Sequence, residues 1–147
     1  MKAINEMSVS FLSCSANESF ARAAVAAFAA QLDPTIDEIS DIKTAVSEAV
    51  TNCIVHAYKD TIGTVYITAK LYEDGLLVIR VRDKGCGIEN IEQAMEPMFT
   101  TGGEERSGLG FTVMQSFMDQ VSVHSKVQKG TTVTLRRRLE RRPVENG

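Results

Sequence analysis

The sequence lacks the features that mark membrane, secreted and nucleic-acid-binding chains. No window approaches the roughly 20 apolar residues that span a bilayer, and residues 1–5 show no hydrophobic stretch typical of a secretory signal. We therefore expect a cytoplasmic protein without a membrane contact. The net charge is −3, which offers no general basic surface for phosphate backbones, so we expect no direct binding of nucleic acid.

Cysteine is also scarce. Cys14, Cys53 and Cys86 are odd in number, far apart and never in a C-x-x-C pair. This spacing indicates neither a disulfide framework nor a zinc site. Cys53 falls on the apolar side of a predicted helix, where a free thiol packs as a small hydrophobic group.

The length and composition fit one globular domain. The chain has 147 residues, 44% hydrophobic and 24% charged, with no low-complexity run, internal repeat or linker. We expect a single domain over residues 1–147, of which about 137–147 form a charged, flexible tail.

Helical spacing predicts two helices in the first half of the chain. Residues 15–18 read as a capping box, and the apolar positions that follow repeat until Asp33-Pro34. Those positions are Phe20, Ala24, Ala27, Phe28 and Leu32. The second, longer helix is marked by Ile39, Ile42, Val46, Ala49, Val50, Cys53 and Ala57.

Alternating hydrophobicity predicts the strands. A short strand is expected over residues 7–12, a hairpin over 64–71 and 77–81, and a closing hairpin over 121–127 and 132–135. Between the hairpins we expect a helical turn over 91–95, a mobile loop over 96–108 and a helix over 108–118. The predicted fold class is α+β, a two-layer sandwich whose mixed, mostly antiparallel sheet carries its helices on one face.

The polar side of the second helix is the first candidate site. Glu48, Asn52 and His56 are four residues apart, and each such step turns only about 40° around a helix, so the three side chains share a face. A carboxylate and an amide are oxygen ligands suited to Mg²⁺. A polar helix face is also what an ordinary solvated surface looks like, so this spacing alone decides nothing.

Glycine-rich segments provide two further candidates. Asp83 ends a predicted strand and is followed by Gly85 and Gly87, where a buried carboxylate could accept a hydrogen bond from an exocyclic amine or simply stabilise a turn. Residues 106–111 bring Arg and a G-x-G pattern to a helix start, where backbone N–H groups favour phosphate. The Gly130-Thr131-Thr132 turn is weaker evidence for a site, because a glycine turn followed by β-branched strand residues is common.

The order of these segments is more specific than any one of them. A helical E-x-x-x-N-x-x-x-H, a strand-terminal D-x-G-x-G, a loop entering G-x-G and a final G-T resemble the Bergerat nucleotide-binding fold of the GHKL superfamily. Residues 17–22, 31–35, 47–52, 99–101 and 110–112 are similar to the anti-sigma F factor family of spore-forming bacteria. The resemblance covers nearly the whole chain.

The resemblance implies a role for each matching residue. Asn52 would hold Mg²⁺, Glu48 would orient or deprotonate an attacking serine hydroxyl, and Asp83 would select adenine. Arg106 would contact the γ-phosphate within a lid over residues 100–110. The other expected ATP or ADP contacts are Gly85, Gly87, Thr100, Thr101, Ser107, Gly108, Gly110 and Thr131.

The resemblance also implies partners. Members of that family bind a sporulation sigma factor and phosphorylate a serine of an anti-anti-sigma protein, and a homodimer is expected. Glu18 and Arg22, one turn apart on the first helix, are candidates for an exposed partner-binding patch, or form an ordinary surface ion pair. A general-stress switch kinase of the same superfamily, or a module that holds nucleotide and sequesters its partner without significant kinase activity, would share the same residues.

Two positions depart from the family pattern. Ala57 stands where glycine is usual, and Gly102-Gly103 stand where a Lys-Pro pair is usual. The second departure removes a cation and a stiff residue from the predicted lid, so we expect a lower nucleotide affinity or kinase rate.

Overall fold

Five strands form one sheet in the computed structural model, which describes residues 2–95 and 105–140 and the side chains of all of these except 105–109. The strands are β1 (Ala3–Leu12), β2 (Thr64–Tyr72), β3 (Leu76–Asp83), β4 (Gln120–Lys126) and β5 (Gly130–Arg138). Their order is β1-β2-β3-β5-β4, and every neighbouring pair is antiparallel. The predicted fold class is confirmed, although the described strands include no parallel pair.

The register of the sheet aligns its apolar residues in one row. Val9 pairs with Ile67, Ile67 with Val81, Val81 with Val133, and Val133 with Val123. Because side chains alternate across a strand, this row faces the core while Arg80 and Arg82 lie exposed on the opposite face. One face of the sheet is therefore available for helices.

The helices pack on that apolar face. They are α1 (Asn17–Ala29), α2 (Ile36–Asn52), α3 (Ile91–Met95) and α4 (Glu105–Phe117), with a 3-10 turn over Ala30–Leu32 and a π-helical turn over Cys53–Ala57. The longest, α2, contacts α1 on one side and α4 on the other, and its own residues Ile42, Val46 and Val50 are completely buried. Both sides of α2 are thus flanked by another helix.

The first helix differs from its prediction in two ways. Its N-cap is Ala16, with no side-chain cap, and the Glu18 carboxylate instead bonds to α2, so the predicted capping box is wrong. Phe20 is 49% exposed, and the buried face is that of Ala21, Val25, Phe28, Ala29 and Leu32. Alanine is abundant on every side of α1, so hydrophobic spacing alone did not define which side packs.

A capping box does occur at the start of α2. The Thr35 hydroxyl accepts a hydrogen bond from the Glu38 backbone N–H at 3.1 Å, and the Glu38 carboxylate accepts one from the Thr35 N–H at 2.8 Å. Two amides that would otherwise lack a partner at the helix start are satisfied in this way. Glu38 also accepts a bond from the Glu140 N–H, which ties α2 to the end of β5.

The end of the described chain is ordered further than predicted. Arg137 and Arg138 belong to β5, where they pair with Asp41 and Asp74, and Leu139 is only 1% exposed. The predicted tail boundary at 137 is therefore wrong because these residues complete the sheet and the core. Residues 141–147 lie outside the described part.

The predicted boundary of the last helix also moves. α4 begins at Glu105, three residues before Gly108, so the expected loop over 96–108 is wrong for its last four positions. Its remaining residues, 96–104, lie outside the described part. α3 matches the helical turn predicted over 91–95. Across the described ranges, 2–95 and 105–140, none of the helices combines the length and hydropathy needed to cross a membrane.

The capping box at α2 should contribute measurably to stability. Thr35→Ala removes the hydroxyl that accepts from the Glu38 N–H and should lower the free energy of unfolding by about 1 kcal/mol, measured by urea titration. Thr44→Ala in the same helix is the matched control, since that hydroxyl bonds only to the Ser40 carbonyl within the helix, and it should change stability by less than about 0.5 kcal/mol. Equal effects of the two substitutions would contradict the assignment.

Candidate functional site

The sheet brings Asp83 and Thr131 together. Asp83 is the last residue of β3 and pairs in register with Thr131, the second residue of β5. The Asp83 Oδ1 accepts hydrogen bonds from the Gly85 N–H at 2.9 Å and the Thr131 N–H at 3.2 Å. The carboxylate is therefore fixed at the end of two adjacent strands.

The second oxygen of Asp83 faces a different neighbour. The Cys53 thiol donates to Oδ2 at 3.5 Å, and thiols are weak donors, so this oxygen retains capacity to accept a further bond. Burial raises the pKa of Asp83, while the bonds from Gly85, Cys53 and Thr131 act in the opposite direction. Cys53 is 3% exposed, which confirms its predicted place in the core, and burial beside Asp83 raises the pKa of its thiol.

Glycines allow the loop after β3 to approach its neighbours closely. A Cβ atom at Gly85 would overlap the Ala57 carbonyl, which also accepts a hydrogen bond from the Cys86 N–H. Gly87 has a φ of 77°, a conformation that favours glycine, and a Cβ there would overlap the Lys126 carbonyl. The predicted need for glycine at both positions is thus explained by backbone contacts.

The end of α2 carries Asn52. The next five residues, Cys53–Ala57, form a π-helical turn in which the Tyr58 N–H bonds to the Cys53 carbonyl, and such turns often occur at functional sites. The Nδ2 atom of Asn52 is buried without a hydrogen-bond partner among the described residues. An unsatisfied buried amide costs free energy in the protein alone, which indicates that a ligand completes this site.

Glu48 lies one turn before Asn52, and both contact α4. A Cβ atom at Gly110 would lie 3.3 Å from Asn52 Oδ1 and 3.5 Å from Glu48 Oε2, so the absence of a side chain at Gly110 allows this close packing. Burial raises the pKa of Glu48, and the negative charge of Glu18 raises it further. Glu48 is thus a stronger base than a solvated glutamate.

Several of these residues line one cleft, which does not include Glu48, Gly85 or Gly110. Asn52, Asp83, Gly87 and Thr131, all predicted from the sequence, line it together with His56. Its other walls come from Ala49, Cys53, Ala57, Lys59, Cys86, Ile88, Ala94, Phe111 and Val133. The cleft lies between α2, the loop after β3 and α4, with an apolar interior and polar groups at Asp83 and Asn52.

The apolar walls of this cleft were not predicted. Ile88 follows Gly87 and Phe111 follows Gly110, so in both segments a hydrophobic side chain is next to a glycine that permits close approach. This adjacency is the sequence signal that could have identified them. Lys59, just beyond the π-helical turn, places a cation at the same cleft, and no spacing pattern marks it.

The start of α4 includes other predicted residues. Ser107 and Gly108 lie in its first turn, where backbone N–H groups have no partner within a helix. Gly110 lies further along, so in this structure its contribution is close packing rather than a free amide. Arg106 belongs to the same turn, but its side chain lies outside the described part, as do Thr100 and Thr101.

Glu18 and Arg22 form the predicted ion pair, with a distance of 2.9 Å between Glu18 Oε1 and Arg22 Nη1. Both side chains are about one third exposed, so the expected exposed patch is partly covered. The Glu18 carboxylate accepts bonds from the Ser47 and Thr51 hydroxyls of α2 at 2.7 and 2.9 Å. These bonds, with the charge of Arg22, lower the pKa of Glu18 against the opposing effect of burial.

Nucleotide with Mg²⁺ fits this arrangement. The cleft offers a carboxylate oxygen for an amine, apolar walls for a flat ring and, at Asn52, a side-chain amide whose oxygen is a suitable ligand for Mg²⁺. Among the described residues, no group of three or more His, Cys, Asp or Glu side chains could hold a metal ion. One amide that shares the ion with phosphate oxygens and water would not form such a group.

Comparison with known proteins agrees with this geometry. Residues 15–137 match the family described as the histidine kinase-like ATPase domain. The anti-sigma F factor of Caldanaerobacter subterraneus subsp. tengcongensis is 59% identical over 93% of this chain and 96% of its own length. The anti-sigma F factor of Thermoanaerobacter sp. strain X514 is 60% identical over 92% of this chain and 94% of its own.

Solved structures with low identity share the fold. The RsbU and RsbW domains of a Mycobacterium tuberculosis protein match with a TM-score of 0.69 and 21% identity, covering 93% of this chain and 32% of that one. The histidine kinase domain of a blue-light activated histidine kinase from Erythrobacter litoralis gives a TM-score of 0.57 at 21% identity, covering 83% of this chain and 60% of that one. By sequence and by fold, the chain belongs to the anti-sigma F factor family, within the histidine kinase-like ATPases of the GHKL superfamily.

Proposed function

We propose that this protein is an anti-sigma factor that binds a sporulation sigma factor and, as a Mg-ATP-dependent serine kinase, phosphorylates an anti-anti-sigma partner and so inactivates it. The observation that carries the kinase activity is the placement of Glu48 and Asn52 one turn apart beside the cleft. The names of the curated relatives support the sigma-factor partner. A cytoplasmic location is part of the proposal because transcription takes place there.

Adenine would be held at the end of β3 and β5. Asp83 Oδ2 would accept a hydrogen bond from the exocyclic amine, and Thr131 lies beside it in register. Gly87 would let the ring approach the backbone, Gly85 would keep the loop packed against Ala57, and Phe111 and Ile88 would cover the faces of the ring. Phosphates would then extend toward Asn52 and the start of α4.

Asn52 would hold Mg²⁺ through its amide oxygen, and its buried Nδ2, which has no hydrogen-bond partner among the described residues, would donate to an oxygen of the ligand. When bound, the ion would neutralise phosphate charge during transfer. The free amides of the first turn of α4, with Ser107 and Gly108, would add hydrogen bonds to the phosphates. Thr100 and Thr101 complete the proposed nucleotide contacts, Gly110 would let α4 pack against Asn52 and Glu48, and residues 100–110 would act as a lid.

Glu48 would serve as the base. It would accept the proton of the partner's serine hydroxyl while that oxygen forms a bond to the γ-phosphorus. The bond between the γ-phosphorus and the β,γ-bridging oxygen breaks, which leaves ADP and a phosphoserine. The raised pKa of Glu48 supports this role because a stronger base takes up the proton more readily.

The partner proteins would contact α1. Arg22 is one third exposed and fixed by Glu18, Ser19 and Ser47, so it offers an oriented guanidinium to an acidic side chain. Glu18 and Arg22 therefore remain our proposed partner-binding residues. A homodimer without direct nucleic-acid contact completes the proposal.

Transfer of γ-labelled phosphate from ATP to a small partner protein tests the proposed activity. Label should appear on a serine of the anti-anti-sigma partner in the presence of Mg²⁺, and none should appear once Mg²⁺ is removed. Tight nucleotide and sigma-factor binding without any transfer would instead show a sequestering module. The kinase half of the proposal would then be wrong while the anti-sigma half stands.

Substitutions in α2 should separate binding from chemistry. Asn52→Ala should weaken Mg-ATP binding by about 100-fold or more, whereas Glu48→Gln should bind nucleotide normally and lose about 10²- to 10⁴-fold in transfer rate. Isothermal titration and single-turnover assays measure the two effects. Undiminished transfer by Glu48→Gln would eliminate the base role.

The Glu48→Gln variant should also fold stably. The pKa of Glu48 is raised in the folded protein, so the fold favours the protonated carboxyl over the ionised one. The stability that the protonated form contributes is therefore lost as pH rises through that pKa. At pH 8 the variant should therefore unfold at a temperature no lower than the wild type. A clear drop would show that Glu48 has a structural role.

Asp83 should determine base selectivity. ATP should bind at least about tenfold more tightly than GTP, because the Asp83 carboxylate attracts an amine and repels a guanine carbonyl. In Asp83→Asn, Oδ1 can keep its bonds to the Gly85 and Thr131 amides, which places an NH₂ where Oδ2 stood. Titrations of this variant should then show nearly equal affinities for ATP and GTP. An unchanged ratio of the two affinities would refute the contact between Asp83 and the adenine amine.

Arg106 should act on the γ-phosphate. Arg106→Ala should retain most ADP affinity and lose about 10³-fold in transfer rate, the lower end of what such arginines contribute elsewhere. Arg106→Lys should recover little, since lysine lacks the planar pair of donors. ADP titrations and steady-state phosphorylation assays of the same variants measure the two effects. A loss of ADP affinity as large as the loss of transfer rate would show that Arg106 has no specific role at the γ-phosphate.

A further inference from the structure

A second groove is lined by Glu48 and shares no residue with the nucleotide cleft. It runs along the first turns of α2 and is bordered by Arg22 of α1. Glu48 closes one end of this groove, whereas Asn52 and Ala49 line the nucleotide cleft. Glu48 therefore stands at the boundary between the two depressions.

The wall nearest Glu48 is fixed. Ser47 precedes Glu48 in α2, and its hydroxyl bonds to Glu18 at 2.7 Å and to Arg22 at 3.1 Å. Because Glu18 also holds Thr51, one turn further along, the segment that presents Glu48 is anchored to α1 at two points. The groove is thus preformed near the proposed base.

The part of the groove distant from Glu48 carries an exposed apolar side chain and a lysine that forms no ion pair with any described residue. Ile36, the first residue of α2, is 87% exposed, and Ile39 of the next turn lines the same groove. Lys43 is exposed and makes no ion pair with any residue in the described ranges. An apolar end, an unpaired cation and a carboxylate therefore line one groove, in which Glu48 lies about 120–140° around α2 from Ile36 and Lys43.

The spacing of these groups can be converted into lengths. At 1.5 Å per residue, Lys43 lies about 7.5 Å and Ile36 about 18 Å from Glu48 along the axis of α2, and the offset around a helix surface of about 5–6 Å radius adds roughly 10 Å across the axis. An extended peptide advances roughly 3.4 Å per residue, so the combined distances correspond to about four and about six residues. A serine at Glu48 would thus place the fourth and sixth residues from it opposite Lys43 and Ile36.

We propose that this groove binds the acceptor segment of the protein that is phosphorylated, with its serine at Glu48, an acidic side chain at Lys43 and an apolar side chain at Ile36. The proposal rests on the proposed kinase function. A hydroxyl must reach Glu48 from the side that nucleotide leaves open, and the groove provides that approach. The acidic residue belongs at Lys43 rather than beside the serine, where the Glu48 carboxylate would repel it.

Fluorescence anisotropy with short labelled peptides tests the groove in the ADP-bound protein. The first peptide carries serine, an aspartate four residues away and a leucine six residues away in the same direction, so that the three side chains share one face of the extended peptide. The second replaces the aspartate with lysine. The wild type should bind the first about tenfold more tightly, and Lys43→Glu should reverse that order.

Matched variants control for general charge and hydrophobicity. Lys129→Glu and Ile62→Asp alter exposed residues outside the groove and should leave peptide affinity unchanged, while Ile36→Asp should weaken the first peptide several-fold. ADP affinity should be constant throughout. Equal binding of both peptides, or no effect of Lys43→Glu and Ile36→Asp, would overturn the proposal.

The outcome is independent of catalysis. Selective peptide binding without phosphate transfer would support the groove and contradict the kinase activity. Transfer to the acceptor protein at unchanged KM in the Lys43→Glu and Ile36→Asp variants would support the kinase and contradict the groove. A change in oligomeric state in these variants, without an effect on peptide binding, would show that a second copy of the chain covers this face and the proposal is wrong.

Discussion

The buried carboxylate of Asp83 connects three parts of the structure. Through Oδ1 it holds the loop after β3 and the start of β5, and through Oδ2 it meets Cys53 at the beginning of the π-helical turn. A buried carboxylate needs such donors, since removing a charge from water without them is costly. The hydrogen bonds that Asp83 accepts also fix the walls of the cleft. The end of the proposed site that would recognise adenine is therefore already formed in the protein without a ligand.

The long helix α2 links this site to the rest of the molecule. Its apolar side supplies Ile42, Val46 and Val50 to the core, while Glu48 and Asn52 meet Gly110 of α4. On its other flank, Ser47 and Thr51 bond to Glu18 of α1. A partner protein that binds α1 therefore touches residues adjacent to the proposed base. The proposed partner-binding residues and the proposed base would thus lie on neighbouring faces of α2 and its contacts with α1.

Much of the fold could be predicted because period-two and helical patterns are strong in this chain. The hairpin of β2 and β3 and the courses of α1 and α2 followed from them, whereas the packed side of α1 was assigned incorrectly at Phe20 because its many alanines leave that side undefined. Arg137 and Arg138 looked like a tail, and only long-range pairing with Asp41 and Asp74 makes them strand residues. In the site, motif residues could be identified, but contacts such as Cys53 with Asp83 depend on tertiary packing that no spacing encodes.

The central claim is that Asn52 lies where a magnesium-bound nucleotide joins α2 to α4. It is tested most directly by following the side-chain NH₂ resonances of Asn52 by NMR during titration with ATP, first without and then with Mg²⁺. A large additional shift of these resonances is predicted when Mg²⁺ is added to the ATP complex. The side chain of Asn5, which bonds to Gln31 outside the cleft, is the control and should show no comparable shift. Saturating Mg-ATP binding that leaves the Asn52 resonances unmoved would contradict it.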